Sequence, residues 1–243
     1  MAAPEAPSRR AAATAPKPEA PAVAHTAVRK KSRAGSDTRG KLLDAAERVF
    51  AEQGYDGTSL RDIATRAKLH LALSTYHFGT KEKLFEEVLA RRATEITETR
   101  LNELNKIDLS KLDRDAAVKA LIAAYAMPMF RARYGSSTQW QAHVRLVSQL
   151  INVRRWVPLI RKHYDVCGRK FLEKFGEVLP EADHEQLLDA FSFTISTMLY
   201  VCCYTNRFER KRSTASNARV PKEVIDAAIE NFLRFAHAGF MAL

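Results

Sequence analysis

The sequence predicts an all-α fold, and three observations carry that expectation. Apolar residues recur at spacings of three and four through most of the chain, as one-sided helices require. Runs in which Val, Ile and Thr alternate with polar residues, the mark of half-buried strands, are missing. Only 9 Gly and 9 Pro occur among 243 residues, many of the Pro near the N-terminus, which is too little punctuation for an all-β protein. The chain divides on composition and pattern into a tail over 1–36, a three-helix module over 37–84 and a helical bundle over 85–243.

The tail is rich in Ala and Pro, carries Arg and Lys, and has no aromatic residue. It offers too little apolar surface to offset the entropy of ordering, so disorder is expected. Its cluster Arg29-Lys30-Lys31-Ser32-Arg33 reads equally as an arm for a minor groove or phosphates and as a solvated basic linker. The first helix carries Leu42, Leu43, Ala46, Val49 and Phe50 on one stripe and ends at Gln53-Gly54, where Gly suits the left-handed cap. Thr58 or Ser59 caps the second helix, and Ser59 to Asp62 has capping-box spacing. Leu60, Ile63, Ala64 and Ala67 form its stripe, and Lys68-Leu69-His70 leaves the short turn of a helix-turn-helix. A short third helix runs from Leu71 to His77 and stops at Phe78-Gly79, so the motif occupies about 59–78. Thr80 caps a fourth, with Lys81 in its first turn, that reaches Asn105.

In the bundle a fifth helix runs from Asp113 to Arg133, and Pro128 predicts a kink or break within it. A sixth spans 138–153, a seventh Trp156 to Leu179 with Pro158 tolerated in its first turn, and an eighth 183–208. The polar, basic stretch 208–220 is expected to be mobile, and Pro221 opens a ninth helix to Ala238.

The module resembles the DNA-binding domain of the TetR family of bacterial transcription regulators. The residues that carry the likeness are Thr58-Ser-Leu-Arg-Asp-Ile-Ala64, Tyr76-His-Phe-Gly-Thr-Lys81 and Leu84-Phe85. The resemblance implies that the third helix enters a major groove, with His70, Leu71, Ser74 and Thr75 toward the bases. It implies that Tyr76 and His77 donate to phosphates, while Thr58, Ser59 and Lys81 add phosphate contacts at helix starts. Leu73 is more at home in the core, one turn beyond Leu69. The family usually has Gly where Lys68 stands, a small capping residue at His70 and an apolar residue at Ser74; here the apolar residue is one place earlier, at Leu73.

For the remainder the resemblance implies a helical ligand-binding and dimerisation bundle. Its last two helices would pair with those of a second copy through Phe191, Ile195, Met198, Leu199, Cys202, Ile225, Ala228 and Phe232. The other reading of those residues is that they close on the chain's own core. Tyr125, Met127, Met129, Trp140, His143 and Trp156, near Pro128, are the candidates to line an effector pocket; they also read as simple core. The implied function is a repressor released from a palindromic operator in double-stranded DNA by a small, apolar effector. The run Leu71 to Gly79 looks like a subset of the family some of whose members respond to fatty acids or acyl thioesters.

Charge and chemistry agree with a nucleic-acid partner. The net charge is +11 and the pI about 9.7. The excess lies in the tail and mildly in the bundle, while the helix-turn-helix is nearly balanced, so charge alone does not locate the site. The 3 Cys (Cys167, Cys202, Cys203) are too few and odd in number for a disulfide scaffold and suit a reducing cytoplasm, on nucleoid DNA. His163 and Cys167 lie four apart but lack a second pair, so no metal is expected. No apolar run reaches membrane-spanning length. No nucleophile–base pair, phosphate loop or cofactor motif is present, so neither an enzyme nor a cofactor is expected. The basic tail leaves one alternative, a protein that coats DNA without sequence preference or acts as an adaptor.

Overall fold

The computed structural model describes residues 1–2, 23–151, 153–203 and 221–243, with side chains from residue 37 onward. Among these, the chain forms nine α-helices: α1 Val23–Gln53, α2 Leu60–Ala67, α3 Leu71–Phe78, α4 Lys81–Leu104, α5 Arg114–Tyr134, α6 Thr138–Leu150, α7 Val157–Val178, α8 His184–Cys202 and α9 Lys222–Met241. Single 3-10 turns at Leu109–Lys111 and Arg154–Trp156 link α4 to α5 and α6 to α7. No strand occurs among the described residues. The chain divides at Thr38, and the unit Arg39–Leu243 carries the core, the candidate interface and the cavity.

The first correction concerns the tail. Helix α1 begins at Val23, well before the expected start, so the disorder expected over 1–36 does not hold from Val23 on. Beyond Pro21 the sequence has no further proline before Pro128 and is dense in Ala, Arg and Lys, all good helix formers. The expectation for residues 3–22 lies outside the described residues, as do those for 204–220.

Side-chain caps fix most helix starts. The Ser59 hydroxyl accepts from Asp62 N–H at 3.2 Å while the Asp62 carboxylate accepts from Ser59 N–H at 2.9 Å, a complete capping box. Thr80, Asp113 and Ser137 cap α4, α5 and α6, and Asp183 and Gln186 form a second box at α8. Helix α5 lies against α4, α6, α7, α8 and α9 and is buried nearly all round. That burial explains the second correction. Pro128 does not break α5, which continues to Tyr134 with Ala126, Met129 and Phe130 packed at 1% exposure or less.

One apolar core runs from the module into the bundle. Leu42, Ala46, Phe50, Ile63, Leu84 and Phe85 close the first part. In the second, the Phe175 and Phe240 rings stack at 4.0 Å and the Phe130 and Phe232 rings meet edge to face at 5.3 Å. Cys167 and Cys202 are buried in this core, while Cys203 is half-buried at the end of α8; all three thiols are free. Burial pushes both buried thiols up, Cys202 to about 12.

Candidate nucleic-acid interface

Helix α3 spans eight residues, and its packing decides which of them face outward. Ser74 and Phe78, one turn apart, point into the module and are 0% and 3% exposed. The opposite side presents His70, Leu71, Ala72, Thr75 and Tyr76, all exposed, with the Tyr76 ring 81% open. His77 is half-buried at the edge, its ring 5.1 Å from that of Tyr76. Leu73 leans on the core, as expected. Ser74 is therefore corrected: it occupies the inward slot, and its hydroxyl finds no partner among the described residues. Ala72 was missed. Stepping back in helical turns from Phe78 to Ser74 would have put position 72 outside.

Two further predicted contacts turn out to brace the module. Thr58 is 3% exposed, and its hydroxyl donates to Gly54 C=O at 2.7 Å. Lys81 donates to the carbonyls of Tyr55 at 3.0 Å and Thr58 at 2.9 Å, and its ammonium sits 4.2 Å from the Tyr55 ring centre. Thr58 closes the turn between α1 and α2, and Lys81 ties that turn to the start of α4. Ser59 stays at the surface, its hydroxyl shared with the Asp62 carboxylate. Lys68 closes α2 at φ 56°, a left-handed position that favours Gly, and donates its N–H to Thr65 C=O at 3.0 Å.

Behind the module lies a cavity of about 420 Å³ between α4, α5, α7 and α8. Of the six expected lining residues, Tyr125 and Met129 line it. Met127, two residues from Met129, faces instead a groove between α5 and α9 that Ile225 also lines. Trp140 lies under the Arg92 guanidinium, 5.0 Å from its ring centre. His143 is fully buried, with Nε2 2.9 Å from the Tyr164 hydroxyl and Nδ1 3.5 Å from Glu47. Trp156 packs away from the cavity, 4.7 Å from the Tyr55 ring and 4.6 Å from Phe85. Its neighbours Val157 and Ile160 do line the cavity. Gly168 also lines it, where α7 passes so close to α8 that a Cβ would meet the Phe191 ring at 3.3 Å.

Glu47 and His143 belong to a buried charge cluster that joins α1, α4 and α6. Glu47, 0% exposed, accepts from Arg91 at 3.0 Å and Arg92 at 3.2 Å. Burial acts to raise its carboxyl, but His143 and Arg92 outweigh that and hold it below the ordinary carboxylate range. Burial holds the His143 imidazole below its ordinary range, helped by Arg92 and Arg91 and opposed by Glu47.

The expected pairing residues of α8 and α9 also divide. Phe191, Met198, Leu199, Cys202 and Phe232 are 4% exposed or less, and the first three line the chain's own cavity. They are corrected from an outer face to core. Ile195 is half-buried and lines the cavity as well; Ile225 and Ala228 are half-buried. The outward arc carries Phe193, Tyr200 and Phe235, 64%, 53% and 63% exposed. A shallow groove across α8 and α9, lined by Thr197, Tyr200, Ala227, Ala228 and Phe235, continues this face. Among the described residues, no His/Cys/Asp/Glu group suits a metal ion and no helix is long and apolar enough to cross a membrane.

Residues 42–88 match the family model described as bacterial regulatory proteins, tetR family, and residues 123–239 that described as tetracyclin repressor-like, C-terminal domain. An HTH-type transcriptional repressor of Mycobacterium tuberculosis is 34% identical over 109 residues, which is 44% of this chain and 58% of the relative. The HTH-type transcriptional repressor NicS of Pseudomonas putida is 34% identical over 86 residues, 35% of this chain and 39% of the relative. In each case less than two thirds of the relative's length is matched. Among solved structures, a TetR-like transcriptional regulator from Rhodococcus sp. RHA1 has a TM-score of 0.57 at 15% identity, covering 85% of this chain and 97% of that one. The transcriptional regulator FadR from Bacillus subtilis, in complex with stearoyl-CoA, has a TM-score of 0.53 at 15% identity, covering 82% and 97%. At such identities these two share the fold.

Proposed function

We propose that this chain, which belongs to the TetR family of bacterial regulatory proteins, is a sequence-specific DNA-binding transcription regulator, a repressor that a small ligand releases from a palindromic operator. The observation that carries the proposal is the outward face of α3. It is rigidly backed by Ser74 and Phe78 and offers His70, Leu71, Ala72, Thr75 and Tyr76 without burying any of them. Leu71 and Ala72 suit thymine methyl groups, and His70 and Thr75 suit polar base edges. The Tyr76 hydroxyl and the His77 ring N–H suit phosphates, as does Ser59 at the start of α2.

Two copies, paired through Phe193, Tyr200 and Phe235, would set two α3 helices on successive major grooves of one operator in the cytoplasm. The cavity is the effector site. Occupancy there would press on Val157 and Ile160, beside Trp156, whose ring is packed on Tyr55 of the module and Phe85 of α4. A ligand shifts operator binding only by its preference between the two arrangements of that contact. The bound stearoyl-CoA of the Bacillus subtilis protein supports an effector with an apolar acyl chain.

The test is a mobility shift with the DNA upstream of the chain's own gene, against random DNA of equal length. Specific retardation that Tyr76→Ala weakens supports the proposal. Equal affinity for both DNAs, lost when residues 1–36 are deleted, would support coating by the basic tail instead.

A further inference from the structure

We infer that the cavity takes an amphipathic monocarboxylate whose head group pairs with Arg100, an inference that rests on the reading of the cavity as the effector site. Arg100 projects from α4 into the cavity wall and is 2% exposed. Its Nε donates to Tyr125 C=O at 2.8 Å, and one terminal nitrogen reaches the Met198 sulfur at 3.8 Å. The guanidinium carbon lies 3.8 Å from the Tyr125 ring centre. Among the described residues no carboxylate lies within 4.0 Å of it, the ion-pair distance. Asp165 lines the same cavity but makes no ion pair with it.

Such a group is anomalous. A buried cation is tolerated when paired and hydrogen-bonded, and a thioether and an aromatic face are weak substitutes for an anion. The other buried formal charge among the described residues, Glu47 in α1, has Arg91, Arg92 and His143 around it. Arg100 has no equivalent among the described residues, and the anion that would complete it is supplied from outside. A carboxylate fits best, because its two oxygens match the planar fork of a guanidinium. Most of the remaining wall, including Ile160, Leu172, Leu188 and Ile195, is apolar and suits a hydrocarbon body, with Asp165 and Ser192 as polar members. Arg161 and Arg169, exposed residues that also line the cavity, add positive potential that draws an anion in. The volume is that of a small-molecule site. An acyl thioester or a neutral ester has no carboxylate for Arg100 and should bind less well than the acid.

Calorimetric titration of the DNA-free protein tests this, using decanoate and 4-phenylbutyrate, the methyl ester of each, and the variants Arg100→Met and Arg100→Lys. At least one acid should bind wild type tenfold or more tightly than its ester. Arg100→Met should reverse that order, and Arg100→Lys should keep part of it. Decanoate alone binding assigns an aliphatic body; 4-phenylbutyrate alone, an aromatic one. The Met variant should melt at or above the wild-type temperature, since a buried unpaired charge has gone. Should it fail to fold, the wild-type comparison of acid with ester decides alone. Equal binding of acid and ester, undiminished acid binding by a folded Met variant, or no binding of either acid would overturn the inference. None of these outcomes bears on operator binding, whose failure the mobility shift reports separately.

Discussion

Around α2 most polar side chains are tied to backbone or carboxylate close by: Thr58 to Gly54, Ser59 to Asp62, and Lys81 to the carbonyls of Tyr55 and Thr58 in the α1–α2 turn, with the buried Ser74 hydroxyl the exception. In the bundle they depend on distant partners or have none. His143 meets Tyr164 and Glu47, and among the described residues Arg100 meets the C=O and ring of Tyr125 and a sulfur. The module is thus braced largely by its own atoms, with the His70, Leu71, Ala72, Thr75 and Tyr76 face of α3 left outward. The bundle keeps an incompletely satisfied interior that a ligand can complete. Local satisfaction gives rigidity; deferred satisfaction leaves an equilibrium to be biased.

The largest expected effect separates the two arcs of α8. Phe193→Asp together with Phe235→Asp should weaken self-association by about 3 kcal/mol or more, on the order of 100-fold, giving monomers in sedimentation with little change in melting. Phe191→Ala should do the reverse, destabilising the fold by about 3 kcal/mol. Were both variants to dissociate equally, the division of α8 into core and outer arcs would be wrong. Next, Trp156→Ala should cost about 3 kcal/mol of stability and uncouple ligand from DNA, so that an effector still binds but no longer changes operator affinity. Unchanged release in that variant would move the coupling elsewhere.

Lys81→Met should cost about 2 kcal/mol in denaturant unfolding, because two carbonyls lose a charged donor. The salt dependence of operator binding should keep its slope; a slope reduced by about one would return Lys81 to the phosphates. Acid sharpens the contrast. The folded values of both His143 and Glu47 lie below their ordinary values of 6.5 and 4.5, so each adds stability at high pH and loses it as pH falls. The melting temperature should be flat above pH 7, decline below about 6.5 as His143 is pressed to charge, and fall further below about 4.5 with Glu47. His143→Gln should shrink the upper step and leave the part due to His163, which burial also holds below its ordinary value. The smallest effects come from α3: Tyr76→Phe should cost about 1 kcal/mol of operator affinity, and Ser74→Ala should change neither stability nor affinity by more than about 0.5 kcal/mol.

Helix starts were readable because a cap joins residues two or three apart. Ser59, Thr80, Asp113 and Asp183 all sit where the sequence puts them. The face of α3 was half readable. Its apolar period pointed inward at Leu73, whereas packing turns Ser74 fully inside with Leu73 beside it. The cavity was least readable, since Met127 and Met129 look alike but sit on opposite sides of α5. A signal for Arg100 did exist. Ala93, Ile96, Arg100 and Leu104 fall on one stripe of α4, and a lone cation in an apolar stripe is a buried charge seeking a partner. The broad stripe of α8 serves both the cavity and the outer face, and no periodicity separates those arcs.

The uneven burial of the three thiols has a practical consequence. Cys167 and Cys202 are shielded and held as thiols, so a maleimide dye added at neutral pH should attach at Cys203 alone, at the end of α8. The native sequence thus carries its own single labelling point, and energy transfer between dyes on a mixed population would report how far apart those helix ends stand with and without effector.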